Sequence, residues 1–265
     1  MSNEKLIDRF RKAEFPPGLT KDVEQFIAAA TALRPLYPPA LLYQIDFGER
    51  TLLRELTAPE EHDSHWWQTG LHIVRKGIAE HPALQAEFSA VLENLYTQLT
   101  SRLGPYTDVS LREITEDTVT GICLLSEVVT YPQNTFVAPN AYSLAQALFN
   151  HKAWYRAVYS GKAPVGFIML EADAEKPEYY LWRFMIAPQF QRSGFGARAI
   201  ELLVEHVKQQ PNARELLLSY IDHEQGPAEF YRRLGFVETG EIVEGEVVMR
   251  LNLEVTSPGL SPSES

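Results

Sequence analysis

The chain has 265 residues, 24 Lys and Arg against 35 Asp and Glu for a formal net charge of −11, 45% hydrophobic residues and one cysteine. That length can bury a core in one large domain or two small ones, and the composition is that of a globular protein. The acidic balance leaves no basic field for nucleic acid, no run of 18 apolar residues offers a membrane span, and a lone Cys123 excludes an internal disulfide.

The opening "MSNEKLIDRFRKAEF" mixes charges and has no apolar stretch before a small-residue cleavage site, so a cytoplasmic location is expected. Net negative charge favours a cationic partner. From Glu4 to Leu103 the pattern is helical. "TKDVEQFIAAATAL" starts with Thr20 as an N-cap candidate and repeats apolar residues until Pro35. "PPALLYQIDF" reads as a short strand or an extended connector, and "HDSHWWQTGLHIVRKGIAEH" as a helix. His62 and His65 flank Asp63, but no third ligand follows at a convincing spacing, so no metal is expected. Trp66 and Trp67 read as core or interface residues. "HPALQAEFSAVLENLYTQLTSRLG" sets Leu84, Phe88, Val91, Leu92, Leu95 and Leu99 on one helical face. "LGPYTD" reads as a boundary. The expected domains are therefore 1–105, mostly helical, and 106–253, with 254–265 a disordered Ser/Pro-rich tail.

After the boundary, "VSLREIT" alternates as a strand, and "EDTVTGICLL" reads as a short helix with Cys123 as core packing. "KAWYRAVYS", "APVGFIML" and "EYYLWRFMI" are three strand-like runs. A helix after Gly194, the strand "ARELLLSYI", the helix "GPAEFYRRL" and the strand material "EIVEGEVVMRLNL" complete the order.

Chemistry concentrates at "QRSGFGARA". Gly194 and Gly196 permit positive φ and close backbone approach, the amides of a helix's first turn favour an anion, and Arg192 and Arg198 add charge. A Walker loop needs Lys-Ser/Thr after its second glycine, and Ala197-Arg198 stands there instead. Gly194, Gly196 and Ala199 satisfy a dinucleotide fingerprint, yet they follow three strand-like runs and precede only one further helix. An ordinary strand–helix turn without a ligand is the third reading.

Gln191-Arg192-Ser193-Gly194-Phe195-Gly196, with "YYLWRFMI" before it and "EFYRRLGF" after it, resembles the phosphate-binding element of the GNAT superfamily of N-acetyltransferases. "FVAPNAYSLAQA", "PVGFIML" and "YYLWRFMI" are more closely similar to its bacterial diamine and polyamine acetyltransferases, over about Val109 to Leu253. The resemblance implies an α/β (α+β) fold. A mixed sheet flanked by helices would be splayed between its fourth and fifth strands, behind a helical domain that is conceivably a degenerate copy of the same fold. It implies acetyl-CoA as donor, with the diphosphate on the backbone of Gln191, Arg192, Ser193, Gly194, Phe195, Gly196 and Ala197. The pantetheine arm would lie along Phe184, Met185 and Ile186, where a backbone amide would also stabilise a developing oxyanion. It makes Tyr231 the general acid for the leaving thiolate, although Phe230 and Tyr231 also read as packing aromatics. Where relatives carry Asn before the last helix, this chain has Glu224, which cannot donate a hydrogen bond, so His223 or Gln225 would have to replace that contact. Asn140 and Tyr142 would line the acceptor side, and Glu171, Glu178, Asp173 and Glu113 are the candidate bases. The implied acceptor is a primary amine of a cationic small molecule. A polyamine-bearing antibiotic, as in self-resistance acetyltransferases, is the favoured acceptor because of the extra domain, which would enlarge the acceptor cleft as a roof; spermidine is the alternative. A non-catalytic acyl-CoA sensor is the reading of a different class.

Overall fold

Five helices occupy the first hundred residues of the computed structural model, which describes residues 3–13, 15–36, 39–57, 67–103, 108–127, 129 and 132–253. They are α1 (Asn3–Lys12), α2 (Pro17–Leu33), α3 (Pro39–Thr57), α4 (Trp67–Ala79) and α5 (Pro82–Leu103). The histidine pair with Asp63 and Trp66, the boundary residues 104–107 and the tail 254–265 lie outside the described residues. No strand occurs among the described residues before Val109.

Two expectations here change. Pro17 occupies the first turn of α2, where its missing N–H costs nothing, so the helix begins before Thr20, and the Thr20 hydroxyl donates to Pro16 O at 3.5 Å. "PPALLYQIDF" is not a strand but the first half of α3. Its buried stripe, Ile45 with Leu52 and Leu53, extends past the short run, so the period shows only over a longer window.

The helices share a core of residues such as Phe10, Phe26, Leu33, Leu71, Phe88 and Leu95. Buried Asp22 on α2 accepts from Asn94 Nδ2 and Gln98 Nε2 on α5, each at 2.5 Å, a polar tie that sets the register of the two helices. Arg34 holds α3 through Asp46 at 2.5 Å and Glu49 at 3.0 Å. Gly48 and Gly70 meet backbone to backbone where α3 crosses α4: a Cβ on Gly70 would lie 2.4 Å from the Gly48 Cα. No helix among the described residues is long and apolar enough to cross a membrane.

The second half builds one seven-stranded sheet in the order β1-β2-β3-β4-β5-β7-β6. Its strands are β1 (Val109–Arg112), β2 (Ala153–Ser160), β3 (Ala163–Glu171), β4 (Glu178–Ile186), β5 (Glu215–Tyr220), β6 (Val237–Val243) and β7 (Glu246–Asn252). Only β4 and β5 are parallel. The closing run is a hairpin, because Glu244 (φ 53°) and Gly245 (φ 87°) make a tight turn within it. β3 is buried from Ala163 to Leu170, as a strand with helices over both faces must be. α6 (Glu116–Glu127) and α7 (Asn140–Ala147) cover one face, and α8 (Phe195–Lys208) covers the other. α9 (Ala228–Arg233) follows β5. Cys123 is half-buried on α6, next to the fully buried Ile122.

Gly70→Val should push α4 off α3 and destabilise the helical core by about 2–3 kcal/mol, read as a lowered urea midpoint with an unchanged slope.

Candidate active site

Pairing between β4 and β5 runs from Glu178 opposite Glu215 to Leu181 opposite Leu218 and stops there. β4 continues to Ile186 with no β5 partner, while Ser219 and Tyr220 pair only with β7. The break has a local cause. Leu170 faces Leu181 and Met169 faces Arg183, so Trp182 is an extra residue, a bulge that turns β4 away. Phe230 of α9 fills the widening space, its ring 6.2 Å from that of Phe184. Gly196 must be small for the same reason, since a Cβ there would meet Phe230 at 3.3 Å. On the far side of β4, Gly166 lets β3 approach: a Cβ would lie 2.3 Å from Met185 O. The outcome is a gap between the strands, where β4 beyond Leu181 has no β5 partner and its Trp182 carbonyl accepts from Arg183 Nη1 at 2.8 Å.

At the open end the chain makes a single 3-10 turn (Pro188–Phe190), then the glycine turn. Arg192 (φ 62°) and Gly194 (φ 83°) both adopt left-handed backbone, and a Cβ on Gly194 would meet only open space. Among the described residues no backbone acceptor takes the amides of Arg192, Ser193, Gly194, Gly196 or Ala197; helical bonding resumes with Arg198 N to Gly194 O at 3.1 Å. These donors, beside the positive end of α8, suit a diphosphate. Arg198, in the first turn of α8, pairs with Glu201 at 2.9 Å and Glu205 at 3.4 Å along the helix. The Gln191 side chain also faces inward, donating to Ile186 O at 2.9 Å and Gln133 Oε1 at 3.2 Å. Gln133 and Phe136, whose ring lies 5.3 Å from that of His223, bring one loop against both banks of the gap.

Tyr231 lies in α9 beside the gap, with 7% of its surface accessible and its ring edge-on to Phe230 and Phe236 at 5.1 and 5.6 Å. Burial pushes its phenol well above the usual tyrosine range, so it holds its proton. Its hydroxyl has no hydrogen-bond partner among the described residues. Glu224 is exposed in the loop before α9, where His223 Nδ1 accepts from Gln225 N at 3.0 Å and His223 O from Gly226 N at 2.8 Å.

The expected acceptor-side residues divide. Tyr142 is exposed on α7, at the face carrying Arg183. Asn140 lies beneath the surface: its Nδ2 donates to Ile122 O at 2.7 Å and contacts Met185 Sδ at 3.8 Å, tying α6 and α7 to β4. Its buried Oδ1 has no partner among the described residues. Glu171 stands across from Tyr180 at the closed end of the gap, while exposed Glu178 begins β4 about 20 Å from Phe184 at 3.3 Å per residue. Asp173 is held by Lys152 at 2.6 Å, which lowers its pKa, and Glu113 pairs with Arg156 at 3.5 Å.

Sequence reasoning missed a polar chain on that face. Tyr179 Oη donates to Pro211 O, just past α8, so alternation turns Tyr180 to the opposite, α7 side. Tyr180 Oη donates to Ser219 Oγ at 2.6 Å, and Ser219 Oγ donates in turn to Glu246 on β7. Burial raises the Tyr180 pKa. Half-buried Arg183 extends to Gln146 of α7 at 3.3 Å and interacts with Glu246, Tyr180 and Tyr142. The residues come from three strands and one helix, and the only signal available in sequence was a carboxylate at the start of a closing strand. Hydrogen bonds thus link the Tyr180 hydroxyl through Ser219 to the carboxylate of Glu246.

Residues 124–236 match the model of the acetyltransferase (GNAT) family. The spermine/spermidine N(1)-acetyltransferase of Bacillus subtilis (strain 168) is 26% identical over 151 residues, 53% of this chain and 96% of the relative. A probable spermine N(1)-acetyltransferase of Bacillus subtilis subsp. natto matches to the same extent. Among solved structures, a putative acetyltransferase of the GNAT family from Desulfovibrio desulfuricans is 17% identical with a TM-score of 0.46, covering 56% of this chain and all of its own.

Gly166→Ala should displace the Met185 carbonyl, cost about 1–3 kcal/mol in chemical unfolding and weaken any ligand in the β4–β5 gap, as measured by calorimetric titration of coenzyme A.

Proposed function

We propose that this chain, whose residues 124–236 match the acetyltransferase (GNAT) family, transfers an acetyl group from acetyl-coenzyme A to a primary amine of a cationic, polyamine-like small molecule. The observation that carries this reading is the gap: a parallel pair that ends at Leu181 and Leu218 beside a turn of outward amides. A thioester with a long extended arm and a diphosphate has the two features such a gap and turn would hold.

The donor supplies an activated acyl group; the chain's residues position it and manage protons. The amides of the glycine turn hold the diphosphate, and β4 from Phe184 to Ile186 receives the arm. The Ile186 carbonyl is already engaged by Gln191, so Phe184 and Met185 carry more of that pairing. Tyr231, kept protonated by its aromatic surroundings, gives its proton to the departing thiolate. On the other face Glu246, reached through Ser219 and Tyr180, attracts the cationic acceptor and takes the proton that must leave before nitrogen can attack. Its charge also offsets that of Arg183, which otherwise repels a polycation. Tyr142 borders the same entrance, while Glu171 lies across from Tyr180 at the closed end. Asn140 acts by holding Met185 and α7 in place.

A polyamine such as spermine or spermidine is the favoured acceptor, supported by the two Bacillus subtilis relatives and by the carboxylate on this face. The case for a larger antibiotic rested on a helical roof over the acceptor cleft. The contacts of the helical half with the second half include Pro188–Phe190 and Phe47 of α3, which packs against the core of the sheet.

Release of thiol from acetyl-coenzyme A, followed across diamines, spermidine, spermine and cationic antibiotics with product mass, tests the proposal. Turnover with a polyamine is expected; donor binding without turnover on any amine would favour the sensor reading. Tyr231→Phe should lower kcat about 10²-fold or more while leaving donor affinity and melting temperature unchanged, because the hydroxyl it removes bonds to nothing in the described protein. Unchanged turnover would take Tyr231 out of the mechanism. Glu246→Gln should reduce kcat/KM for the amine about 10–10²-fold with the donor Kd intact, separating acceptor chemistry from donor binding.

A further inference from the structure

A cavity of about 670 Å³ lies between the helical half and the sheet, walled by α4 and α5 on one side and by Pro188 and Gln189 on the other. Those two residues lead directly into the glycine turn, so the cavity borders the donor end of the gap. His72, Arg75, Lys76 and Ala79 face it from successive turns of α4, at the spacing that places residues on one helical stripe. Leu92, Glu93 and Tyr96 answer from α5.

The charges of this wall are unevenly answered. Arg75 is ion-paired with Glu93 and lies over the Tyr96 ring at 5.3 Å. His72 is neutral near pH 7, because burial and then the neighbouring Arg75 and Lys76 bring its pKa down to about 4. Lys76 is half-buried and has no carboxylate within ion-pair distance among the described residues. Lys76 therefore presents its ammonium to the cleft without a counter-charge, in a chain whose net charge is −11. An anion brought by a ligand resolves the imbalance. The volume fits a nucleotide-sized group, and Ala79 and Leu92 give an apolar wall for a base.

We infer that this cleft holds the 3′-phosphorylated adenosine end of coenzyme A, with Lys76 on the 3′-phosphate. The helical half is then part of the donor site, and the inference rests on the donor assigned under the proposed function. The ligand chemistry is a phosphate monoester on adenosine, which free adenine nucleotides share.

The full chain should be titrated calorimetrically with coenzyme A, with dephospho-coenzyme A (which lacks only the 3′-phosphate) and with adenosine 3′,5′-bisphosphate. The wild type should bind coenzyme A about tenfold more tightly than the dephospho form, and Lys76→Ala should erase that difference by weakening coenzyme A alone. Lys76→Arg should retain it, and matching melting curves would show that both variants fold. The bisphosphate should compete with coenzyme A. Equal wild-type affinity for the two coenzymes, equal weakening of both by Lys76→Ala, or bisphosphate binding to protein saturated with coenzyme A would each overturn the inference while leaving the proposed function standing. Failure of the wild type to bind either coenzyme would instead overturn the donor assignment, and this inference with it.

Discussion

The early end of the β4–β5 pair governs the second half of the molecule. Two parallel strands that remained paired would satisfy each other's backbone and leave no edge in the centre of the sheet. Trp182 prevents this by adding one residue to β4, and Phe230 occupies the space that opens. The free backbone edge that results is tolerable only where water or a ligand can reach it. The glycine turn follows the same logic, because its amides lie at the surface, where an anion can meet them.

Each bank of the gap is built for a different chemistry. On the α9 side the neighbours of Tyr231 are aromatic rings, which keep a phenol protonated. On the α7 side, hydroxyls and a carboxylate form a chain from Tyr180 to Glu246, with the guanidinium of Arg183 beside it. One sheet thus separates a phenol packed among aromatic rings from a hydrogen-bonded polar chain that ends in a carboxylate.

How much of this was legible in the sequence depended on whether the information was local. The strands of the sheet, the helix after Gly194 and the turn itself are carried by short runs whose period and glycines can be read directly, and the sheet with its splay is present as expected. α3 was misread because Pro38-Pro39 and a compact apolar run resemble a strand when the buried residues further along are left out. The Tyr180–Ser219–Glu246 chain could not be read, since its residues come from β4, β5 and β7 and meet only through strand register. The partners of Arg198 are local by contrast: Glu201 and Glu205 lie one and two turns away on the same helix.

Phe230 touches Gly196, Phe184 and Tyr231 at once. The ring that sets the width of the cleft is therefore also a keystone of the surrounding architecture. A smaller side chain there would widen the cleft only by loosening Tyr231 and the start of α8 together. The breadth of the cleft in this scaffold is thereby coupled to its rigidity, so any route to a wider one must pass through compensating changes elsewhere in the same aromatic cluster.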